Sequence, residues 1–306
     1  MGKAGMLQES RTFRLWLDRQ AGRSMAVLTA LSGLIVVLMA VGLYWKSRPI
    51  LALKSLSDLL LSDAWYPLRG QFGFKPFIVG SICVTGVAVA IAVPLCLLTA
   101  VYLAEYAPRW VRNGSKPLID LLAGIPSVVY GVWGILVVVP LVARVAGSLF
   151  NGVCSGYCVL SAGIVLAVMV VPVILHVTVE ILRSVPREFR EASLSLGATH
   201  WQTIKHVILR KAAPGIIAAV VLGLSRAFGE TMAVLMVAGN VAKTPSSVFD
   251  PAYPLPALIA NNYGEMMSIP LYDSAMLLSC LILMLIVLLF NILARLVLIQ
   301  AEKQVQ

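Results

Sequence analysis

An arginine and a glutamate stand four residues apart in an otherwise apolar stretch of this sequence. Arg226 and Glu230 fall near the middle of residues 212–239, which are long enough to cross a bilayer as a helix. A charge at the centre of a spanning helix costs about 2.5–3.5 kcal/mol on insertion scales, so such residues usually carry a function. Because a guanidinium offers forked donors that suit phosphate, the pair predicts a contact with an oxyanion.

Two roles for this pair remain open from the residues alone. A spacing of four places Arg226 and Glu230 on one helix face. In the first role, Arg226 contacts the anion during its passage, and Glu230 holds Arg226 when the anion is absent. In the second, the two residues form a fixed salt bridge within the helix. The hydroxyls of Thr231 and Ser127 are further candidates for lining the same path.

Residues with metal-binding or redox chemistry form weaker patterns. His176 and Glu180 are four residues apart, but no further ligand is close in sequence, so we expect packing or gating and no metal site. Cys154 and Cys158 share a short loop, where a local disulfide would need an oxidising compartment. The sequence holds no GxxxxGK[ST], HExxH or GxSxG motif, so we expect no catalytic residue and no ATP hydrolysis in this chain.

The composition is that of a membrane protein. Of the 306 residues, 59% are hydrophobic and 12% are charged, about half the charged fraction of a soluble domain. The formal net charge of +10 could suggest nucleic acid as a partner. The distribution of the basic residues favours membrane topology as its cause, because most of them fall on one predicted side.

Six apolar stretches predict an all-α integral membrane protein with six transmembrane helices. Residues 1–24 are basic and predict an amphipathic cytosolic helix or a disordered tail. Residues 25–76 are expected to hold the first spanning helix and an external loop, and residues 299–306 a cytosolic tail. Both termini are predicted to be cytoplasmic, since the basic residues favour that side. The other five spans are expected at residues 77–104, 118–143, 159–182, 212–239 and 274–298.

Residues 183–211, which we term the docking loop, predict a short helical pair between the fourth and fifth spans. Pro186 suits the first turn of a helix, and Gly197 is expected to break that helix. Thr199 and Gln202 have the spacing of a capping box, which predicts the start of a second helix. One face of the first helix is apolar or small, at Phe189, Ala192, Ser193 and Leu196.

The docking loop resembles the EAA loop of type I ABC importer permeases. The resemblance rests on EAS (191–193), GA (197–198) and VIL (207–209). It implies the six-helix type I permease fold, with a cytosolic coupling helix between helices 4 and 5 that fits a groove on an ATPase subunit. It also gives Glu191 and Ala192 the role of an anchor and Gly197 and Ala198 that of a turn.

The sequence departs from that family pattern at two positions. Ser193 replaces the second alanine, and Arg210 stands where the family usually has proline, with Pro214 following four residues later. The second departure bears on how the chain leaves the loop and enters the fifth span.

Three further segments resemble the PstC-type permeases of bacterial phosphate importers. They are SRAFGETMAVLMVAGN (225–240), GIPSVVYG (124–131) and AVYLAEYAP (100–108), and the likeness extends from about residue 77 to the C-terminus. It implies that residues 77–298 form a permease domain that passes phosphate across the bacterial cytoplasmic (inner) membrane. Alternatives are another oxyanion such as sulfate or molybdate, or an autonomous secondary transporter.

The same resemblance implies the partners. These are a second, homologous permease (PstA type), a dimer of ATPase subunits (PstB type) that holds ATP-Mg, an external phosphate-binding protein (PstS type) and membrane lipids. No cofactor is expected in this chain, and no nucleic acid.

Overall fold

The chain is helical almost throughout in a computed structural model that describes residues 2–150, 155–265 and 269–305. Six helices in these residues are long and apolar enough to cross a membrane, as predicted. The helices are α1 (Gly2–Leu53), α2 (Leu56–Leu61), α3 (Lys75–Val101), α4 (Arg109–Gly124), α5 (Ser127–Trp133), α6 (Val139–Phe150), α7 (Val159–Ser184), α8 (Arg187–Ser195), α9 (His200–Thr203), α10 (Leu209–Phe228), α11 (Met232–Val237), α12 (Leu255–Asn262) and α13 (Tyr272–Val305).

Three π-helical turns, one 3-10 turn (Pro67–Arg69) and one small hairpin complete the described structure. The π turns extend α3, join α5 to α6 and join α9 to α10, so that each joined pair runs as one spanning helix. They comprise Tyr102–Tyr106, Gly134–Val138 and Ile204–Ile208. The hairpin pairs β1 (Trp65–Tyr66) with β2 (Gln71–Phe72) in antiparallel register.

Helix α7 is the centre of the bundle. It packs against α3 and α10, and it is the most buried of the six candidate spans. Glycines allow these close approaches: a Cβ on Gly163 would come 2.4 Å from Val87, and one on Gly223 would come 2.4 Å from Ile174. Small residues at such contacts let helix backbones approach within a membrane. Helix α7 therefore positions the helices that surround the fifth span.

A second apolar cluster closes one end of the bundle. Phe72 of β2 packs against Tyr272 at the start of α13, and Phe77 in the first turn of α3 packs against Tyr253 before α12. Trp65 contacts Phe77 edge-on, with ring centroids 4.9 Å apart. The cluster fixes α1, α12 and α13 to α3 at this end.

Several predicted boundaries differ from those observed. The third span does not begin at residue 118: α4 ends at Gly124, and a new helix starts at Ser127. Ile125 is extended there (φ −67°, ψ 129°), because the residue before Pro126 is pushed out of the helical region. Residues 109–124 therefore form a separate amphipathic helix.

The two ends of the chain also differ from expectation. Helix α1 runs without a break from Gly2 to Leu53, so residues 2–24 are not a segment separate from the first span, although the side chains of residues 2–17 lie outside the described part. Helix α13 continues to Val305 and includes most of the expected tail at 299–306. Cys158 is buried with its Sγ 3.7 Å from Ser161 Oγ, while Cys154, its predicted disulfide partner, lies outside the described residues.

Candidate functional site

The fifth span is broken beside Arg226. Helix α10 ends at Phe228 rather than continuing to residue 239, and Gly229 follows as its C-cap. Glycine is about 1 kcal/mol less favourable than alanine in a helix interior, which favours a break at this point. A new short helix, α11, then begins at Met232. Arg226 thus lies in the last turn of α10, where a positive charge interacts favourably with the helix dipole.

The break corrects the predicted pairing of Arg226 with Glu230. Because the helix ends between them, the four-residue spacing no longer places them on one face. Glu230 Oε1 instead accepts a hydrogen bond from the backbone N–H of Ala233 (3.4 Å) in the first turn of α11. Within residues 2–150, 155–265 and 269–305, no ion pair joins Arg226 to Glu230 or to any other carboxylate. The fixed intrahelical salt bridge is therefore not observed.

Helix α5 lies against α11 at this break. Gly131 makes the approach close, since a Cβ there would lie 3.3 Å from Ala233 Cα and 2.5 Å from Met236 Sδ. Tyr130 is buried and donates a hydrogen bond to the carbonyl oxygen of Leu122 (2.8 Å). GIPSVVYG and the segment that directly follows RAFGET are distant in sequence and therefore meet next to the break.

The two predicted hydroxyls occupy different positions in this arrangement. Ser127 is half-buried in the first turn of α5, one turn before Gly131. Thr231 donates a hydrogen bond to the carbonyl oxygen of Gly229 (3.3 Å), so its hydroxyl stabilises the break itself. The α10 side of the break is fixed to α13, because the Ser225 hydroxyl donates a hydrogen bond to Asn291 Oδ1 (2.9 Å).

The docking loop has the predicted turn and capping box. Gly197 adopts φ +83°, a left-handed conformation that side chains rarely tolerate. The Thr199 side chain accepts from the Gln202 N–H (3.3 Å), and Gln202 Oε1 accepts from the Thr199 N–H (2.8 Å). Ser193 and Thr203 hydroxyls, 3.0 Å apart, join the two short helices. The second of these helices continues through a π turn into the fifth span, so that span begins at His200 and not at residue 212.

The residues that the family resemblance predicts as anchor and turn are mostly exposed. Glu191, Ala192 and Gly197 are exposed, and Ala198 is half-buried. Leu196 is 89% exposed. Exposed apolar side chains next to an exposed carboxylate are typical of a protein contact surface.

One ion pair that fixes this loop to the bundle was not predicted from the sequence. Arg190 Nη2 donates to Glu105 Oε1 (2.7 Å) and Arg190 Nε donates to Oε2 (3.3 Å). The same guanidinium donates to the carbonyl oxygens of Val185 (2.6 Å) and Leu182 (3.0 Å). The Glu105 side chain is only 6% exposed. Glu105 belongs to the π turn that ends the second span, so the pair connects α8 directly to that span.

His176 and Glu180 do not act together. His176 Nδ1 lies 3.8 Å from Asp120 Oδ1, and Glu180 Oε1 lies 3.3 Å from Lys116 Nζ and 3.8 Å from Arg183 Nη1. These contacts connect α4 to the end of α7. Among the described residues, no group of three His, Cys, Asp or Glu side chains could hold a metal ion.

Comparison with known proteins agrees with this architecture. A family described as "binding-protein-dependent transport system inner membrane component" matches residues 92–298. The phosphate transport system permease protein PstC of Xylella fastidiosa (strain 9a5c) is 35% identical over 295 residues, covering 91% of this chain and 90% of that protein. PstC of Haemophilus influenzae (strain ATCC 51907 / DSM 11121 / KW20 / Rd) is 33% identical, covering 85% of this chain and 87% of that protein.

A solved structure shows the same fold. A chain of the inward-facing MetNI methionine ABC transporter aligns with a TM-score of 0.56 at 20% identity, covering 72% of this chain and 93% of that one. The predicted type I permease fold is therefore confirmed. By family match and by relatives that span most of its length, the chain belongs to the binding-protein-dependent transport system inner membrane components and, among them, to the PstC-type permeases.

Proposed function

We propose that this chain is the permease subunit of an ATP-driven phosphate importer and that Arg226 contacts the anion on its way across the membrane. The observation that carries the proposal is the exposed guanidinium at the break of the fifth span, which forms no ion pair with any residue in the described part of the chain. The relatives that match most of the chain are phosphate transport permeases by name.

The break gives each predicted pathway residue a role. Arg226 attracts the anion with forked donors. Glu230, held at the start of α11, places a negative charge nearby that weakens binding and favours release. Thr231 maintains the bend, and Ser127 offers a hydroxyl from the facing helix. Because Glu230 is already engaged with Ala233, it neutralises Arg226 only if the break rearranges.

The docking loop supplies the coupling to ATP. Glu191 and Ala192 form the exposed contact with the ATPase, while Gly197 and Ala198 provide the turn that presents them. ATP-Mg is bound by a PstB-type dimer, and this chain holds no cofactor. A PstA-type permease completes the pathway, and a PstS-type protein delivers phosphate. The protein lies in the bacterial inner membrane with both termini in the cytoplasm.

ATP-dependent uptake of labelled phosphate into proteoliposomes tests the proposal. We expect Arg226→Gln to abolish most uptake while assembly and ATP binding persist. Arg144→Gln is the matched control, because it removes the same charge from an exposed position on a spanning helix away from the break. Unchanged uptake by Arg226→Gln would remove Arg226 from the path.

The same vesicles separate the alternatives. Preference for sulfate or molybdate over phosphate would identify another oxyanion as cargo. Uptake that continues without the ATPase subunits would identify a secondary transporter.

A further inference from the structure

Four arginines line one cavity beside the docking loop. The cavity has a volume of about 420 Å3 and lies where the end of the second span, α4, α7 and α8 meet. We call it the arginine cavity. Its lining residues are Ala104, Arg112, Arg183, Arg187, Arg190 and Glu191.

The guanidinium groups in this cavity are only partly satisfied. Arg190 is paired with Glu105, and Arg183 lies 3.8 Å from Glu180. Arg112 Nη2 donates to the carbonyl oxygen of Ala107 at 3.2 Å. The Nε atoms of Arg112 and Arg183 are both buried and have no hydrogen-bond partner within the described residues. Buried donors without acceptors are costly, so an external acceptor would stabilise them.

Charge in the arginine cavity is also unbalanced. Arg187 is exposed and forms no ion pair with any residue in the described part of the chain. Glu191 is the one acidic side chain among the lining residues, and it too is exposed. Glu105 and Glu180 lie beside Arg190 and Arg183, whereas Arg112 and Arg187 form no ion pair within the described residues, and this excess of positive charge favours an anionic ligand.

We propose that the arginine cavity binds a phosphate group, carried either by an anionic phospholipid headgroup or by free inorganic phosphate. Guanidinium forks match phosphate oxygens in geometry as well as in charge. Basic pockets between spanning helices are known sites for lipid headgroups. The cavity lies at a suitable depth, since α4 exposes Trp110, Leu118 and Leu121 next to its basic residues, as an interfacial helix does.

A bound phosphate group would join α4, α7 and α8, because each of these helices contributes at least one arginine to the cavity. It would therefore hold the docking loop against the spans in addition to the Arg190–Glu105 pair. This site is separate from Arg226 and does not depend on which anion the permease carries.

Binding to the full-length chain in nanodiscs tests the proposal. Arg226→Gln is present throughout, so that any anion bound at the break is removed from the signal. The test variant adds Arg112→Gln and Arg187→Gln. The matched control adds Arg210→Gln, an exposed arginine at the start of α10 that does not line the cavity. The single variant Arg187→Gln repeats the test at an exposed side chain, so that weaker binding cannot be attributed to misfolding of the double variant.

Two probes distinguish the sources. The first is retention of phosphatidylglycerol over phosphatidylcholine from mixed nanodiscs, measured by native mass spectrometry. The second is the rise in unfolding temperature with inorganic phosphate in phosphatidylcholine nanodiscs at constant ionic strength. Loss of two charge-assisted contacts should weaken binding on the order of tenfold or more in one of these assays.

If the test variant loses only lipid retention, the ligand of the arginine cavity is a phospholipid headgroup. If it loses only the response to inorganic phosphate, the ligand is free phosphate. Glu191→Gln should tighten binding in the same assay, because it removes the opposing charge. If the test variant and the Arg210→Gln control bind both probes equally, the proposal is overturned.

Discussion

Arg190 and Glu105, 85 residues apart in the chain, form a two-point ion pair with donor–acceptor distances of 2.7 and 3.3 Å. The pair connects the first helix of the docking loop to the end of the second span. Because Glu105 is almost fully buried, removing its charge leaves a guanidinium without its partner. The pair therefore positions the loop in addition to contributing stability.

Glu105→Gln is expected to destabilise the protein on the order of 3 kcal/mol, since breaking a buried pair leaves an uncompensated charge. It should also separate ATP hydrolysis from uptake, because α8 then moves independently of the second span. Thermal unfolding and the ratio of phosphate taken up to ATP hydrolysed measure the two effects.

The control for this pair is Lys75→Gln, which breaks the exposed Lys75–Asp63 contact (2.6 Å) before the second span and leaves the hydrogen bond from Thr244 to Asp63 in place. Exposed pairs contribute little, so this variant should behave almost as the unmodified protein. The exchange Glu105→Arg with Arg190→Glu should restore part of the coupling. A normal uptake ratio in Glu105→Gln would show that the pair is merely structural.

Gly197→Ala tests the left-handed turn of the docking loop. A Cβ at Gly197 meets nothing within 4 Å, so the cost arises from φ +83° alone. We expect a loss of about 1–2 kcal/mol in the stability of the turn, together with weaker association of the ATPase. Gly114→Ala is the matched control, because its Cβ is equally free of contacts but lies within helix α4. That change should be neutral or slightly stabilising. Equal effects of the two substitutions would contradict a conformational role for Gly197.

Gly131→Ala tests the approach of α5 to α11. The added methyl would lie 3.3 Å from Ala233 Cα and closer still to Met236 Sδ, so the Met236 side chain must move and the backbone of α11 must shift by a few tenths of an ångström. Overpacking of this kind typically costs about 1–3 kcal/mol. Because the contact lies close to Arg226, we expect phosphate uptake to fall further than the loss of folded protein alone would explain. Gly86→Ala, whose Cβ meets nothing within 4 Å, should leave both unchanged. Full uptake by Gly131→Ala would mean that the close approach is not needed for transport.

The sequence predicted those features that depend on local chemistry. Gly197 and the Thr199–Gln202 capping box lie close together in the chain, and a glycine or a cap acts within a few residues. The number of spans follows from apolar length. The helix break at Gly229 was not predicted, because a single glycine inside a long, mostly apolar segment is tolerated in a helix and does not by itself predict its end.

Long-range contacts could not be derived in the same way. Glu105 and Arg190 meet only because α7 brings the second span and the docking loop together. The arginine cavity likewise draws Arg112 and Arg187 from segments far apart in the chain. No spacing rule connects such residues, so their chemistry becomes visible only after the helices are packed.

Asp250, in the loop between α11 and α12, leads to a prediction for the pH dependence of stability. Its pKa is lowered from the usual value of 3.8, chiefly by the hydrogen bond from the Ser246 hydroxyl and then by the backbone N–H groups of Ser246 and Ser247. A carboxyl group whose pKa falls on folding stabilises the protein above its unfolded pKa. That contribution is lost as the pH drops through the folded pKa.

Asp250→Asn should therefore be less stable than the unmodified protein at neutral pH, by a margin that stays constant down to about pH 5. Below about pH 4 the margin should shrink, because the carboxyl of the unmodified protein becomes protonated as well. Unfolding temperatures measured between neutral and acidic pH give this difference directly. Ser246→Ala removes the largest single cause of the shift and should reproduce part of the effect, since two backbone donors remain. A margin independent of pH across the whole range would show that Asp250 acts through packing and not through its charge.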